Sequence, residues 1–381
     1  HPIPPSSAVP VPAVPVPAQG RPSPSWTVEA LQGWHLPLLD DPAFLPLQPL
    51  LQRSLLLALP EQLLTAVTSR RPVAAQVLVA LQRQGLTRQQ ALGLIVSRRL
   101  NRSGTCWQVQ HLRLALAATE ATSPDASAPS RAALAGDLLR QAIGRVKGAA
   151  SWIATASSLD TSRLATLREQ GFQPQRTDRL WRWQPAADRP VPPLPADLQL
   201  RQLNRRTAPL LWHLEQATCP AHLRQLQDRR IEDLLDQSRS HGWLLVDAVR
   251  NEAVAGVRWL DEHPGGGQAV ELSIHPGWAH LLGTAAEPLL HRLAKGGTSL
   301  WLRCEVSDGE RQGWLQALGA EAHGEEVLMA RSVWRRQEGQ PAKRAARRLE
   351  AVLEQLQPRR RPMPTPSGPL GSLPTAPLLP R

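Results

Sequence analysis

The chain of 381 residues contains no tyrosine, two phenylalanines, two methionines and three cysteines. Cys106, Cys219 and Cys304 stand at neither metal-like nor framework spacing, which argues against a zinc site and a disulfide scaffold and fits a reducing cytoplasm. No apolar run reaches membrane-spanning length, because the leucine-rich stretch 54–67 is broken by Pro60, Glu61 and Gln62. No membrane partner is expected. Also missing are a G-x-S-x-G elbow, a Walker loop, a dinucleotide-binding glycine fingerprint and H-E-x-x-H, so the hydrolase, nucleotidase, dehydrogenase and metalloprotease classes find no support. His263, His275 and His280 are close in sequence but at loop-like spacing, and no metal site is expected.

What the chain has instead is 13 tryptophans, 37 prolines and a net charge of +12. Trp152, Trp259 and Trp301 are expected to fill cores, and Trp278 to pack in a turn beside the loop described below. Residues 1–25 repeat Val-Pro and Ala-Pro, which forbids a helix and predicts an extended, disordered arm. The segment 335–381 carries ten Lys or Arg against three Glu, so most of the excess charge is peripheral. Its stretch 342–356 has the spacing of an amphipathic helix, followed by a proline-rich disordered end. Such a tail is either a solubilising appendage or a weak contact for nucleic acid or protein. A second proline-rich run, 185–198, reads as a linker between two domains, 26–184 and 199–335, with 336–381 as the tail. The sequence opens on His1 and leaves the true start open.

The most informative stretch is 268–290, QAVELSIHPGWAHLLGTAAEPLL. Val270, Leu272 and Ile274 alternate with Glu271 and Ser273, the period of a strand. After Pro276 and Gly277 the leucines from Leu281 to Leu293 recur at helical spacing. A strand that feeds a helix start carrying Gly283 and Ala285 suits an anion, because the first helical N–H groups have no partner and small residues allow close approach.

On these residues the chain resembles the GNAT superfamily of acyl-CoA-dependent N-acyltransferases. The strand Glu271-Leu272-Ser273-Ile274, the turn at Pro276 and the loop His280-Leu281-Leu282-Gly283-Thr284-Ala285 are similar to that family's E-L-x-V strand, proline turn and Q/R-x-x-G-x-G/A pyrophosphate loop. His280 departs from the family's Gln or Arg and lies one residue further from the proline. The flanks agree: a hairpin 242–260, a strand 299–306, a short helix 310–318 ending at Gly319, and a last strand 326–333. Between 199 and 240 the pattern predicts helices, among them one over 221–238, and the resemblance places acceptor contacts there, with His222, Arg229, Arg230 and Asp233 as candidates.

The first half carries the same order. The hairpin 91–114, the helix near Leu138–Ile143, the strand 151–156, the helix 163–170 stopped by Gly171 and the strand 179–183 parallel the second half, which implies an internal duplication. Its helix end LREQGF resembles the family's L-Y-x-K-x-G-F. The fold class expected is therefore α/β (α+β): tandem GNAT-like domains, each a mixed, mostly antiparallel sheet flanked by helices. The first copy looks degenerate. Its loop is Arg131–Gly136 with Leu134 in place of Gly283, where a leucine side chain would fill pyrophosphate space; 117–130 is a low-complexity insertion; and His111 aligns with Glu271.

The resemblance implies acetyl-CoA as co-substrate, an amine acceptor, coenzyme contacts at Ile274, His280, Leu281, Leu282, Gly283, Thr284 and Ala285, and an oxyanion donor at the backbone N–H near Ile274. Glu271 is the candidate catalytic base, its partial burial expected to raise its pKa, although an outward, solvated carboxylate satisfies the same alternation. The tyrosine that many members use to protonate the thiolate is absent, with Leu315 and Leu167 at the equivalent places. Two functions stay open: an acetyl-CoA-dependent N-acetyltransferase working through the second domain, and a non-catalytic acyl-CoA sensor or basic adaptor of the same fold.

Overall fold

The computed structural model describes residues 26–67, 75–84, 88–115, 130–186, 190–237, 241–294 and 297–332. The chain divides into two units, His1–Val333 and Trp334–Arg381. The proline-rich arm, most of the insertion at 117–130 and the basic tail with its expected helix lie outside the described residues.

The first half runs β1 (Trp26–Ala30), α1 (Gln48–Val67), β2 (Gln76–Gln84), β3 (Arg88–Arg99), β4 (Cys106–Leu114), α2 (Arg131–Arg145), β5 (Ser151–Ser157), α3 (Thr161–Glu169) and β6 (Gln173–Trp183). The second runs β7 (Leu198–Gln202), α4 (Ala208–Thr218), α5 (Ala221–Gln227), α6 (Ile231–Gln237), β8 (Gly242–Asp247), β9 (Glu252–Glu262), β10 (Gln268–Ile274), α7 (Leu281–Thr284), α8 (Ala286–Leu293), β11 (Leu300–Glu305), α9 (Gly309–Ala317) and β12 (Glu321–Ser332). The repetition extends to atomic detail. Asp160 and Asp308 cap α3 and α9 with nearly the same backbone angles, each carboxylate accepting from the N–H three residues on, at Arg163 and Arg311. Gly171 and Gly319 leave those helices at φ 83° and 81°, the left-handed turn that glycine adopts without a Cβ clash.

All strands join one sheet in the order β1-β2-β3-β4-β5-β12-β6-β11-β10-β9-β8-β7. It is antiparallel except for β4–β5 and β10–β11. The last strands change places: β12 pairs with β5 from Glu326↔Ser157 to Ser332↔Ser151, and β6 pairs with β11 from Leu300↔Trp183 to Glu305↔Asp178. Each half therefore has its sheet completed by the other.

Apolar faces then dictate the layers. In β3 the run 91–97 is buried on both sides, Leu92 and Ile95 against α2, and Ala91, Leu94 and Val96 against α1 and the turns before it. In the second half Val270, Leu272 and Ile274 meet Leu281, Leu282, Leu289 and Leu290, whereas Leu211, Leu214 and Leu234 cover Leu244 and Val246 on the opposite face. Gly256 in β9 lets α4 approach, since a Cβ there would stand 2.8 Å from Leu244 and 3.2 Å from Leu211.

Ahead of β3 the sequence pattern names no element, and the structure holds β1, α1 and β2 there. Two expectations are corrected. The helix expected over 221–238 is broken, because Asp228 turns left-handed at φ 42° and ends α5. The helix expected from Leu281 to Leu293 is split at Ala285, whose backbone lies at φ −135°.

Candidate acyl-transfer site

The β10–β11 pair is registered only over Gln268–Val270 with Leu300–Leu302, after which β10 runs on to Ile274 beside β9 and β11 runs on to Glu305 beside β6. The two strands splay apart at Glu271. Into this gap α9 sends Arg311, whose Nη1 donates to the Leu272 carbonyl at 3.2 Å. The first half splays the same way, β4–β5 pairing ending at Val109↔Ala154.

Glu271 and Ser273 point to the face of the sheet opposite Leu272 and Ile274, toward α4. Across the ladder Glu271 stands in register with Arg258, which is 1% exposed, donates to Glu271 Oε2 and forms an ion pair with Glu215 Oε1, 3.2 Å away on α4. Arg229, in the joint between α5 and α6, lies 3.5 Å from Glu215 and 3.8 Å from Glu271. Two carboxylates and two guanidiniums thus form one cluster, Arg258 and Glu215 buried and Glu271 partly exposed, with Arg176 contributing to the field at Glu271.

This geometry reverses one expectation. Burial alone pushes Glu271 upward, but Arg258, Arg229 and Arg176 outweigh it and hold the carboxyl at about 2. The carboxylate whose proton affinity rises is Glu215: burial pushes it up, Arg258 pulls it down, and Glu271 pushes it up again, for a net upward shift. In Arg258 the two carboxylates overcome burial and keep the guanidinium charged. His111, the counterpart of Glu271, is lowered to about 4 by burial and by Arg113, Arg163 and Arg98, so it is neutral at pH 7.

The loop residues divide into two sets. Leu281, Leu282 and Ala285 are buried in the core, and His280 and Gly283 are exposed. A Cβ on Gly283 would meet nothing within 4 Å, so backbone is accessible there. The backbone of Thr284 closes α7. The first half departs from expectation at this point: α2 is continuous from Arg131, and Leu134 turns into the core with 0% exposure rather than into space a ligand would use. Leu167 and Leu315, the places of the missing tyrosine, are core residues, and Cys304 is buried. Trp278 packs against the second-half core, its ring 5.5 Å from that of His280. Asp233 is turned elsewhere, accepting from the N–H groups of Arg230 and Arg102, each at 2.7 Å, and His222 and Arg230 form no ion pair with Glu271 among the described residues. Of the acceptor-side candidates only Arg229 reaches Glu271.

Glu215 and Arg258 were not singled out by sequence pattern. Arg258 carried the better signal, a charge inside the apolar strand AVAGVRWL, which must find carboxylates when buried. Among the described residues no group of three or more His, Cys, Asp or Glu could hold a metal ion, and no helix is long and apolar enough to cross a membrane.

No family model and no curated protein matches the chain. Solved structures do. A tandem GNAT protein from the clavulanic acid biosynthesis pathway is similar at 15% identity and TM-score 0.50, covering 81% of this chain and 98% of its own. A GCN5-related N-acetyltransferase from Sphaerobacter thermophilus is similar at 13% identity and TM-score 0.47, covering 81% and 96%. At 15% identity the likeness to the tandem protein is one of fold. The splayed strand pair, the helix after it and the twofold repetition agree with it: this chain has the fold of the GNAT superfamily of N-acyltransferases.

Proposed function

We propose that the chain is an acetyl-CoA-dependent N-acetyltransferase whose second domain, 199–335, carries the reaction. The observation that supports this most is the β10–β11 splay, with the loop 280–285 after its mouth and an ionised carboxylate on the face turned to α4. Backbone of His280, Leu281, Leu282, Gly283, Thr284 and Ala285 would hold the pyrophosphate of acetyl-CoA, the outward, uncrowded Gly283 letting it approach. The N–H near Ile274, at the open end of β10, would polarise the thioester carbonyl.

On the other face Glu271 attracts a protonated amine acceptor. Glu215, with the higher proton affinity of the pair, takes its proton through water, and the neutral amine attacks the thioester carbon. The C–S bond then breaks, the coenzyme leaves as a thiolate without a tyrosine acid, and the surplus proton on nitrogen passes to water as the amide forms. Free Cys106, Cys219 and Cys304 support a reducing, cytoplasmic setting.

A non-catalytic acyl-CoA-binding module of the same fold is the second reading, favoured by the ion pairing of Glu271 with Arg258, which blunts it as a base. Calorimetric titration of acetyl-CoA into the full chain, followed by thiol release over an amine panel, separates the two. Binding with release supports the transferase; binding without release from any amine supports the module; no binding sinks both.

A further inference from the structure

Arg229 rides on the short joint between α5 and α6, and the other half of the chain clamps that joint. Asn101, buried in the β3–β4 turn, donates through Nδ2 to the carbonyls of Gln227 (3.1 Å) and Asp228 (3.0 Å). Its Oδ1 accepts from the N–H groups of Thr105 (3.0 Å) and Cys106 (3.2 Å) and so braces the turn itself. Thr105 Oγ1 donates to Asp228 Oδ2 at 2.7 Å. The Arg102 N–H donates to Asp233 Oδ1 at 2.7 Å, and the Arg102 guanidinium pairs with Asp236 at 2.5 Å. Ser151 in β5 donates to the Leu226 carbonyl, and Leu226 packs on Cys106, Ile153 and Ala330.

The joint needs such support. Asp228 holds a left-handed backbone that an L residue seldom adopts. Arg229's own contacts are one long hydrogen bond to Glu215 at 3.5 Å and an ion pair with Glu271 at 3.8 Å, weak supports for its place.

We propose that Asn101 and its turn are a positioning element for the candidate site: the first half of the chain sets where Arg229 stands, and through it the charge balance around Glu215 and Glu271. The degenerate copy would thus be retained for placement of the other copy's acceptor side. This rests on the preceding reading only in calling the cluster a site, and its test does not require turnover.

Cys219, at the end of α4, is the reporter. It is half-buried, whereas Cys106 and Cys304 are buried. Burial, Glu271 and Glu215 raise its thiol pKa, and Arg229 and Arg176 oppose them. Alkylation of the intact protein with iodoacetamide, read at Cys219 by peptide mass spectrometry across pH, therefore senses where Arg229 is. Asn101→Asp keeps the acceptor for Thr105 and Cys106 but turns an oxygen toward the Gln227 and Asp228 carbonyls. Thr105→Val removes one clamp bond and adds no charge. Both are expected to slow Cys219 at pH 8 about threefold or more, as Arg229→Met does, because the thiolate loses a nearby cation. Simple loosening would expose the thiol and speed its reaction. Faster alkylation in the two clamp variants, or unchanged rates beside a slowed Arg229→Met, overturns the proposal, as does an unchanged Arg229→Met. Failure of every amine to release thiol would sink the transferase reading and leave these rates meaningful.

Discussion

Arg258 and Glu271 face each other across the β9–β10 ladder, and the buried guanidinium also binds Glu215 on α4. One cation thus ties the central strand to the acceptor-side helix, and it stands between two carboxylates that would otherwise repel.

Replacing Arg258 by Met tests that tie. It leaves Glu215 buried beside Glu271 with the more distant Arg229 and the field of Arg176 to oppose them, and breaking a buried charge group by removing one partner costs about 3–5 kcal/mol. Urea unfolding of the variant should show a loss of that order. A variant as stable as the parent would mean that water already solvates the cluster.

Acid should act through Glu271. Its folded pKa of about 2 lies below the ordinary glutamate value near 4.3 in an unfolded chain. The stability it contributes is therefore fully present above the unfolded value and is lost as pH falls through the folded one. Glu271→Gln should be less stable than the parent at pH 6 and should converge with it toward pH 2. Equal stability at both pH values would contradict the held charge.

Gly283→Glu tests the coenzyme loop. The new side chain starts in open space, so the melting temperature should stay unchanged. A carboxylate where a pyrophosphate is proposed to rest should weaken acetyl-CoA binding about tenfold or more by calorimetry. Unaltered affinity would place the coenzyme elsewhere.

Cutting the chain at the linker tests the exchanged strands. A fragment 199–335 keeps β12 but loses both strands that flank it, β5 and β6, and β11 loses β6. Exposed edges of this kind associate, so sedimentation should find dimers or larger species rather than a folded monomer. A cooperative monomer would show that the second half closes its own sheet.

Local pattern carried much of the architecture. The alternation of VELSI, the helix stops at Gly171 and Gly319, and the matched segments 151–172 and 299–320 were legible because each depends on residues close in the chain. The strand β2 was not, since QVLVALQRQ has no clean alternation when both faces are covered. The joint at Asp228 was not, because nothing in QLQDRRIEDL marks a left-handed residue; Asn101, more than a hundred residues away, holds it there.

The site shows the same division more sharply. Glu271 stood out as the one carboxylate in a central strand, yet its proton affinity depends on Arg258 in register across the ladder, Glu215 on a helix and Arg229 held by the opposite half. Burial by itself would have raised it; three guanidiniums lower it. What the amino-acid order determined alone is the repeated series of strands and helices and the apolar faces they present, since side-chain period and turn chemistry act over a few residues. Only tertiary structure decided which half completes which sheet and which carboxylate has the higher proton affinity, because strand pairing and electrostatic fields act between groups that the chain brings together only when it folds.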